Sequence, residues 1–259
     1  MCSLQALLFD VDGTLAETEE GHRRAFNAAF AAAGLDWHWS PRQYRELLAV
    51  TGGKERIRHY IDTAGLAAGL PTDLDRFIAE LHALKTRYYT EAVRTGNMGL
   101  RPGVARLIGE ARAAGLRLAV ATTTSPANVE ALLQATLGPE AIGWFDAIAA
   151  GGVVPAKKPA PDIYHHALDR LGLPPDACLA LEDSRNGLRA ARAAGVPCLV
   201  TPSFYTDHEH FDGAVLVVSD LGEPDRPFRL IQGDAQGHAW VDLALLRQLH
   251  AAARAPGAA

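Results

Sequence analysis

The stretch LLFDVDGTLAET, residues 7–18, joins an apolar run typical of a buried strand to two aspartates one residue apart. Alternate side chains of an extended chain point the same way, so Asp10 and Asp12 would both overhang the carboxyl end of that strand. Open α/β sheets bind ligands at this edge. Two like charges this close repel, which predicts a raised apparent pKa for the pair unless a cation or a shared proton intervenes. From these residues alone, an ordinary acidic turn is the alternative.

The rest of the chain repeats the pattern of a short apolar run followed by a helical stretch. The apolar runs are LLFDV, LRLAVATTT, CLALEDS, VPCLVTP and AVLVVSD. Their nearly continuous apolar character is typical of parallel strands covered on both faces. Between them, TSPANVEALLQATLG has Ser125 as N-cap, Pro126 at the first helical position and Gly138 as terminator. We therefore predict an α/β fold with a doubly wound, mostly parallel sheet.

One segment breaks this alternation, because residues 16–96 contain helical periodicity but no convincing strand. Within it, DLDRFIAELHALKTRYY places Leu74, Phe77, Ile78, Leu81, Leu84 and Tyr88 on one helix face, with Lys85 on the same stripe. We predict a small helical cap domain at 16–96, inserted after the first strand of a catalytic core formed by 1–15 and 97–259. Such an insert is placed to act as a lid over the strand ends.

Composition narrows the classes of function. The 259 residues carry a net charge of -5, so no global basic field favours nucleic acid. No apolar run approaches the roughly 20 residues that cross a bilayer, and the N-terminus leaves no room for a charged segment and a cleavage site before Asp10. We expect a cytoplasmic monomer that binds neither nucleic acid nor membranes.

Three further strand ends carry polar side chains that complement the two aspartates. Thr122 ends the second run, Lys157 and Lys158 precede a helix opened by a proline, and Glu182 and Asp183 end the third run. Together these loops offer a carboxylate to attack, a second to move protons, a hydroxyl and an ammonium to bind oxygens, and carboxylates to hold a hard cation such as Mg²⁺. This set of groups is suited to phosphoryl transfer.

On these four motifs, in this order, the chain resembles the haloacid dehalogenase-like phosphatase superfamily. DVDGT is similar to its nucleophile motif, Thr122 and Lys158 stand in its second and third motifs, and Glu182-Asp183 is similar to its fourth. The helical insert resembles the small cap of the subgroup that contains β-phosphoglucomutase and sugar-phosphate phosphatases. The stretch TPSFYTDHEHFDGAVLVVSDLG resembles the CbbY-type subgroup associated with Rubisco, which implies xylulose-1,5-bisphosphate as the substrate and a functional link to Rubisco without direct binding.

The resemblance also implies a role for each motif residue. Asp10 would be the nucleophile that forms an aspartyl phosphate, and Asp12 the acid and base for the leaving oxygen and the attacking water. Thr122 and Lys158 would bind the oxygens of the transferring group. The ligands of Mg²⁺ would be Asp10, Asp183, Asp12 through its main-chain carbonyl, and Glu182 in support or as a ligand.

Substrate specificity is expected to lie in the cap. TGGKERIRHY combines a flexible Gly52-Gly53 loop with Lys54 and Arg56 near a helix start, which would suit a second phosphate; a solvated basic face is the alternative. His22 and Lys85 interrupt apolar helix faces, and we expect them either to position Asp12 or to be structural. The expected substrate-binding residues are Glu17, His22, Gly52, Gly53, Lys54, Arg56, Lys85, Thr123 and Lys157. For Lys157 a solvated neighbour of Lys158 is the alternative, because one lysine satisfies the motif.

Other functions use parts of the same pattern. A β-phosphoglucomutase-like mutase would need the same residues and differ in the access of water to the phosphoenzyme. A haloacid dehalogenase would not require Asp12, and a phosphonate hydrolase would need a cap lysine as a Schiff base, for which only Lys54 or Lys85 is available. A receiver-like signalling module would lack both the cap and the proton-transferring residue two positions after the nucleophile.

Overall fold

The computed structural model of the chain describes residues 3–96 and 98–254. Its strands are β1 (Ala6–Phe9), β2 (Arg117–Ala121), β3 (Ala147–Ala149), β4 (Cys178–Glu182), β5 (Cys198–Val200), β6 (Leu216–Val218) and β7 (Leu230–Gly233). Its α-helices are α1 (Glu19–Ala32), α2 (Pro41–Leu47), α3 (Gly53–Thr63), α4 (Leu74–Thr95), α5 (Val104–Ala113), α6 (Pro126–Leu137), α7 (Asp162–Leu171), α8 (Arg185–Ala193) and α9 (Leu243–Ala252).

The strands form a single sheet in the order β3-β2-β1-β4-β5-β6-β7. Pairing is parallel from β3 to β6, and only the edge strand β7 runs antiparallel to its neighbour. The last residue of β1, Phe9, pairs with Val120 on one side and Leu181 on the other. Since parallel strands in this register end together, the residues that follow them meet at one edge of the sheet.

Helices cover both faces of the sheet, which confirms the doubly wound α/β prediction. On one face, residues of α5, α6 and α9 join alternate strand residues in a buried cluster that includes Leu107, Leu132 and Leu246. On the other face, α7 and α8 contribute Ile163 and Leu188 to a second cluster. Strand residues divide between the clusters with a period of two, so β1, β2, β4, β5 and β6 are buried on both sides as their apolar sequences predict.

Helices α1 to α4 have an apolar core of their own, built on Phe26, Phe30 and Trp39. This confirms a helical cap inserted after the first strand. Along α4 the buried face differs by one residue from the predicted stripe, because Tyr88 is 40% exposed and Tyr89 is buried. With 3.6 residues per helical turn, the residue four positions after Lys85, Tyr89, lies on the buried face.

The two connections between cap and core run side by side. An isolated bridge pairs Ala16 with Leu100, and the Arg101 N–H donates to the Leu15 carbonyl at 2.8 Å. The boundaries given above, after residues 15 and 96, remain predictions. Within residues 3–96 and 98–254, no helix has the length and apolar character needed to cross a bilayer.

Candidate active site

Asp10 is the first residue after β1, and its position is set by the sheet. Its N–H donates to the Leu181 carbonyl at 3.0 Å, which extends the pairing of β1 with β4 by one residue. Lys158 Nζ donates to Asp10 Oδ1 at 2.6 Å, and Thr14 Oγ1 donates to Oδ2 at 3.3 Å. Burial raises the pKa of Asp10 to about 7 against the lowering effect of the Lys158 charge, and Glu182 and Asp12 add to the rise.

Lys158 joins two carboxylates. Its Nζ also donates to Glu182 Oε1 at 2.6 Å, and the Tyr164 hydroxyl donates to the same oxygen. Burial alone would lower the pKa of Lys158, but the charges of Asp10 and Glu182 outweigh burial and raise that pKa. The lysine is therefore held as a cation beside the carboxylate proposed to attack.

Three buried carboxylates at the ends of β1 and β4 can hold a metal ion. One oxygen each from Asp10, Glu182 and Asp183 lies within 4.8 Å of the others. Glu182 Oε2 is buried without a hydrogen-bond partner among the described residues. Burial, with the charges of Asp10 and Glu182, raises the pKa of Asp183 well above its usual range. Oxygen donors concentrated in this way fit a hard divalent cation such as Mg²⁺, whose charge would favour their ionised forms.

Two glycines make room for these carboxylates. Gly13 has φ +82°, and a Cβ there would lie 2.2 Å from Asp183 Oδ2. A Cβ at Gly187, in the first turn of α8, would lie 1.9 Å from Glu182 Oε2. The glycine of DVDGT is therefore required both by its backbone conformation and by the close approach of Asp183.

The Asp12 carboxylate belongs to a different group, on the cap side of the site. Thr18 Oγ1 donates to Asp12 Oδ1 at 2.6 Å, and His22 Nε2 lies 2.9 Å from the same oxygen. Lys85 Nζ lies 2.7 Å from His22 Nδ1 and completes the chain. Burial would raise the pKa of Asp12, but the charge of His22 and hydrogen bonds from His22 and Thr18 hold that pKa well below its usual range.

The structure bears on two expectations for the aspartate pair. A raised pKa, expected where no cation intervenes, is found only at Asp10, where burial and the charge of Glu182 outweigh Lys158; at Asp12, His22 and Thr18 outweigh burial and lower the pKa. The Asp12 side chain also lies outside the carboxylate cluster, so the implied role of Asp12 in metal binding through its main-chain carbonyl stays a prediction.

His22 and Lys85 are held in place by aromatic rings. The imidazole stacks on Tyr89 with 3.8 Å between ring centroids, and Lys85 Nζ lies 4.9 Å from the centroid of Phe26 and 5.1 Å from that of Tyr89. Burial lowers the pKa of Lys85 to about 8, partly offset by Asp12 and Glu19. Both polar residues thus extend from apolar faces of the cap toward Asp12.

A cavity between cap and core brings most of the predicted residues together. From the core it is lined by Asp10, Asp12, Thr122, Thr123, Lys158 and Asp183, and from the cap by His22, Gly52, Gly53, Arg56 and Lys85. Arg56 is buried rather than on a solvated face; it donates to the Leu47 carbonyl and the Tyr44 hydroxyl. The N-termini of α3 and α6 also face this space, and each favours anions.

Three predicted substrate-binding residues do not line the cavity. Glu17 lines a separate pocket, where its carboxylate lies 3.2 Å from Arg101 Nε, although Thr18 and Glu19 directly after it face the site. Lys54 is exposed on the outer face of α3, and Lys157 is half-buried but directed elsewhere than Lys158. Neighbours in an extended or helical chain point different ways, so one lysine of the pair is enough to fill the site.

Several cavity residues were not predicted: Glu19, His82, Asn128, Ser184, Asn186, Thr206 and Glu209. Ser184 and Asn186 closely follow the fourth motif, and His82 lies one helical turn before Lys85. Their closeness in sequence to predicted site residues could have identified them. Burial and nearby cations lower the pKa of His82 to about 3. Thr206 and Glu209 lie in a loop whose path the sequence pattern does not define.

Comparison with known proteins identifies the family of the chain. Residues 4–195 match the model of the haloacid dehalogenase-like hydrolases. The plasmid-encoded protein CbbY of Cupriavidus necator is 54% identical over 248 residues, which cover 95% of this chain and 97% of that protein.

Two solved structures of a related protein have the same fold. CbbY from Rhodobacter sphaeroides in complex with phosphate is 55% identical with a TM-score of 0.79, over 84% of this chain and 94% of that one. A mutant of the same protein in complex with xylulose-1,5-bisphosphate is 54% identical, with the same TM-score and coverage. The chain therefore belongs to the haloacid dehalogenase-like hydrolases and, among them, to the CbbY-type phosphatases.

Proposed function

We propose that this phosphatase is Mg²⁺-dependent and hydrolyses a sugar bisphosphate, xylulose-1,5-bisphosphate, through an aspartyl phosphate on Asp10. One observation carries the proposal: a single cavity is lined by Asp10, Lys158 and Asp183 and also by the Asp12–His22–Lys85 chain. The first group is suited to receive a phosphoryl group and the second to move a proton.

In this reaction Asp10 Oδ attacks phosphorus, and the bond from phosphorus to the sugar oxygen breaks. Lys158 and Thr122 bind the equatorial oxygens, whose charge is spread in the transition state. Asp10, Glu182 and Asp183 are the residues that would hold Mg²⁺, which supplies positive charge to the phosphoryl oxygens. Water then attacks the aspartyl phosphate, releasing inorganic phosphate and restoring the Asp10 carboxylate.

Asp12 is placed to transfer the proton in both halves of the reaction. Its lowered pKa makes it a carboxylate at neutral pH, the form that accepts a proton from the attacking water. Donation to the departing sugar oxygen requires the protonated form. A phosphate dianion entering the cavity raises the pKa of a nearby carboxyl, so bound substrate favours that form.

A second phosphate is supported by the cap side of the cavity. Gly52 and Gly53 at the N-terminus of α3 and the buried Arg56 line the cavity from the cap, and the N-terminus of α6 at Ser125 lines it from the core. Helix N-termini and a guanidinium favour phosphate. The xylulose-1,5-bisphosphate complex of the 54% identical relative supports the same substrate for this chain.

The proposal is tested by measuring inorganic phosphate released from a panel of sugar mono- and bisphosphates with Mg²⁺. Xylulose-1,5-bisphosphate should have the highest kcat/KM, and EDTA should abolish turnover. The alternative, a β-phosphoglucomutase-like activity, would give an isomeric sugar phosphate without stoichiometric phosphate release.

We also propose that the protein acts in the cytoplasm as a monomer. Its link to Rubisco would be functional, through removal of a phosphorylated sugar, and would need no direct contact. Sedimentation of the purified protein, alone and with Rubisco, tests the monomeric state and the absence of direct contact.

A further inference from the structure

The segment Ser203–Thr206, which follows β5, contacts both the cap and one residue of the carboxylate cluster, Asp183. It belongs to the stretch TPSFYTDHEHF, whose role the proposed reaction leaves unassigned. Its first and last residues, Ser203 and Thr206, face the site in the core, whereas Phe204 and Tyr205 between them contact the cap.

The contacts to the core converge on Asp183. Thr206 Oγ1 lies 2.8 Å from the Asp183 carbonyl and 3.2 Å from Asp183 Oδ2, within donating distance of both. The Ser203 N–H donates to Thr206 Oγ1 at 2.9 Å, and a hydrogen bond from Ser203 lowers the pKa of Asp183. Both residues are buried. Ser203 and Thr206 therefore contact Asp183 at both its main-chain carbonyl and its carboxylate.

The contacts to the cap are made by Tyr205 and Phe204. Tyr205 is 3% exposed and packs in the apolar cluster of the cap, with its ring edge-on to Tyr44 at 5.6 Å and its hydroxyl donating to Glu20 Oε2 at 2.6 Å. Arg45, on α2, donates to the Phe204 carbonyl. Tyr205 thus belongs to the core domain by sequence and to the cap by packing.

We propose that Tyr205 and Thr206 are positioning residues that couple the seating of the cap to the orientation of Asp183. Neither residue reacts with substrate. When the cap holds Tyr205, the adjacent Thr206 is held against Asp183, so the metal site is fully formed only with the cap in this position. This inference rests on the proposed function, since it assumes that Asp183 is a Mg²⁺ ligand.

The test measures the dissociation constant for Mg²⁺ by titration calorimetry on metal-free protein without substrate. Thr206→Val should weaken Mg²⁺ binding about 10–100-fold, the range seen when hydrogen-bond partners of metal ligands are removed, and Thr206→Ser should restore it. Tyr205→Ala should weaken Mg²⁺ binding about tenfold, although Tyr205 touches no carboxylate of the cluster. Because Tyr205 acts through Thr206, the double variant should bind no more weakly than Thr206→Val alone.

Two matched variants serve as controls. Thr136→Val removes a threonine hydroxyl that donates to the Leu132 carbonyl within α6, and Tyr88→Ala removes an exposed tyrosine of α4. Both should bind Mg²⁺ like the wild type. Thermal unfolding identifies variants that do not fold, and Tyr205→Leu, which keeps apolar bulk in the cap, is measured in parallel with the same expected direction.

A Tyr205 variant that is folded but binds Mg²⁺ as tightly as the wild type would overturn the inference, because Tyr205 would then be structural only. Effects that multiply in the double variant would also overturn it. Wild-type protein that neither binds Mg²⁺ nor releases phosphate would instead overturn the proposed function. The two failures are distinguished by the wild-type measurement alone.

Discussion

Replacing Lys158 by methionine isolates the role of one buried ammonium. Methionine keeps much of the length and apolar stem of lysine but removes the charge that lies 2.6 Å from both Asp10 and Glu182. The adjacent Lys157 offers a matched control, because it has the same chemistry but does not line the cavity.

Two magnitudes follow from the geometry. Loss of one donor to the transferring oxygens typically lowers kcat by about 10²–10³-fold, or ~2.7–4 kcal/mol. Removing one partner of a buried ion pair leaves an uncompensated charge and costs about 3–5 kcal/mol of stability. Part of that cost is relieved if a carboxylate binds a proton, which is already favoured at Asp10 by its pKa of about 7.

Phosphate release at saturating substrate and Mg²⁺ measures the first magnitude, and urea unfolding of the metal-free protein measures the second. Lys158→Met should lose at least 10²-fold in kcat, whereas Lys157→Met should stay within about threefold of the wild type. The reasoning is refuted if Lys158→Met keeps wild-type kcat, or if both variants lose activity equally.

The other predictions concern protons and the metal. Asp12→Asn should lower kcat about 10²–10⁴-fold while calorimetry finds Mg²⁺ binding unchanged; loss of Mg²⁺ binding would show that the Asp12 side chain is a ligand. His22→Gln removes an electrostatic and hydrogen-bond partner that lowers the pKa of Asp12, so the acidic limb of the pH–rate profile should move to higher pH; an unmoved limb would make His22 structural. Because the folded-state pKa of Asp10 is about 7 and its reference value 3.8, the folded protein binds the extra proton between these values. The stability of metal-free protein should therefore fall as pH rises from about 4 to 7, and Mg²⁺ affinity should rise over the same interval with proton release; pH-independent affinity would contradict this.

The sequence predicted the central strands well because they are buried on both faces. β2, β4, β5 and β6 lie within the apolar runs, and β1 begins one residue before its run. β3 was missed because it has only three residues, two of which are alanine, a residue depleted in strands. β7 was missed because all four of its residues are exposed, so it has no buried face to produce a pattern.

The site residues that follow the strands could be predicted for the same reason. Asp10, Thr122 and Asp183 directly follow strands whose register is set by their apolar residues, and Lys158 was identified by the superfamily motif. The cap residues were harder to predict, because the sequence of a helix indicates which of its faces is buried but not which part of the protein covers that face. Arg56 lines the cavity and Lys54 does not, although both lie in the same turn of a basic helix.

Glu17 shows a second limit. It directly follows the bridge residue Ala16, and the direction of its side chain depends on the buried Arg101. Arg101 donates to the carbonyls of Gly13, Thr201, Pro202 and Ser219, which lie in three separate parts of the chain. Such long-range pairing cannot be read from local periodicity.

The central claim, transfer of a phosphoryl group to Asp10, is tested most directly by rapid acid quench of enzyme mixed with xylulose-1,5-bisphosphate carrying labelled phosphate. Peptide mapping should find the label on Asp10, at a level that rises and decays with turnover, and Asp10→Asn should show neither label nor phosphate release. Turnover by Asp10→Asn, or label on any other residue, would contradict the account.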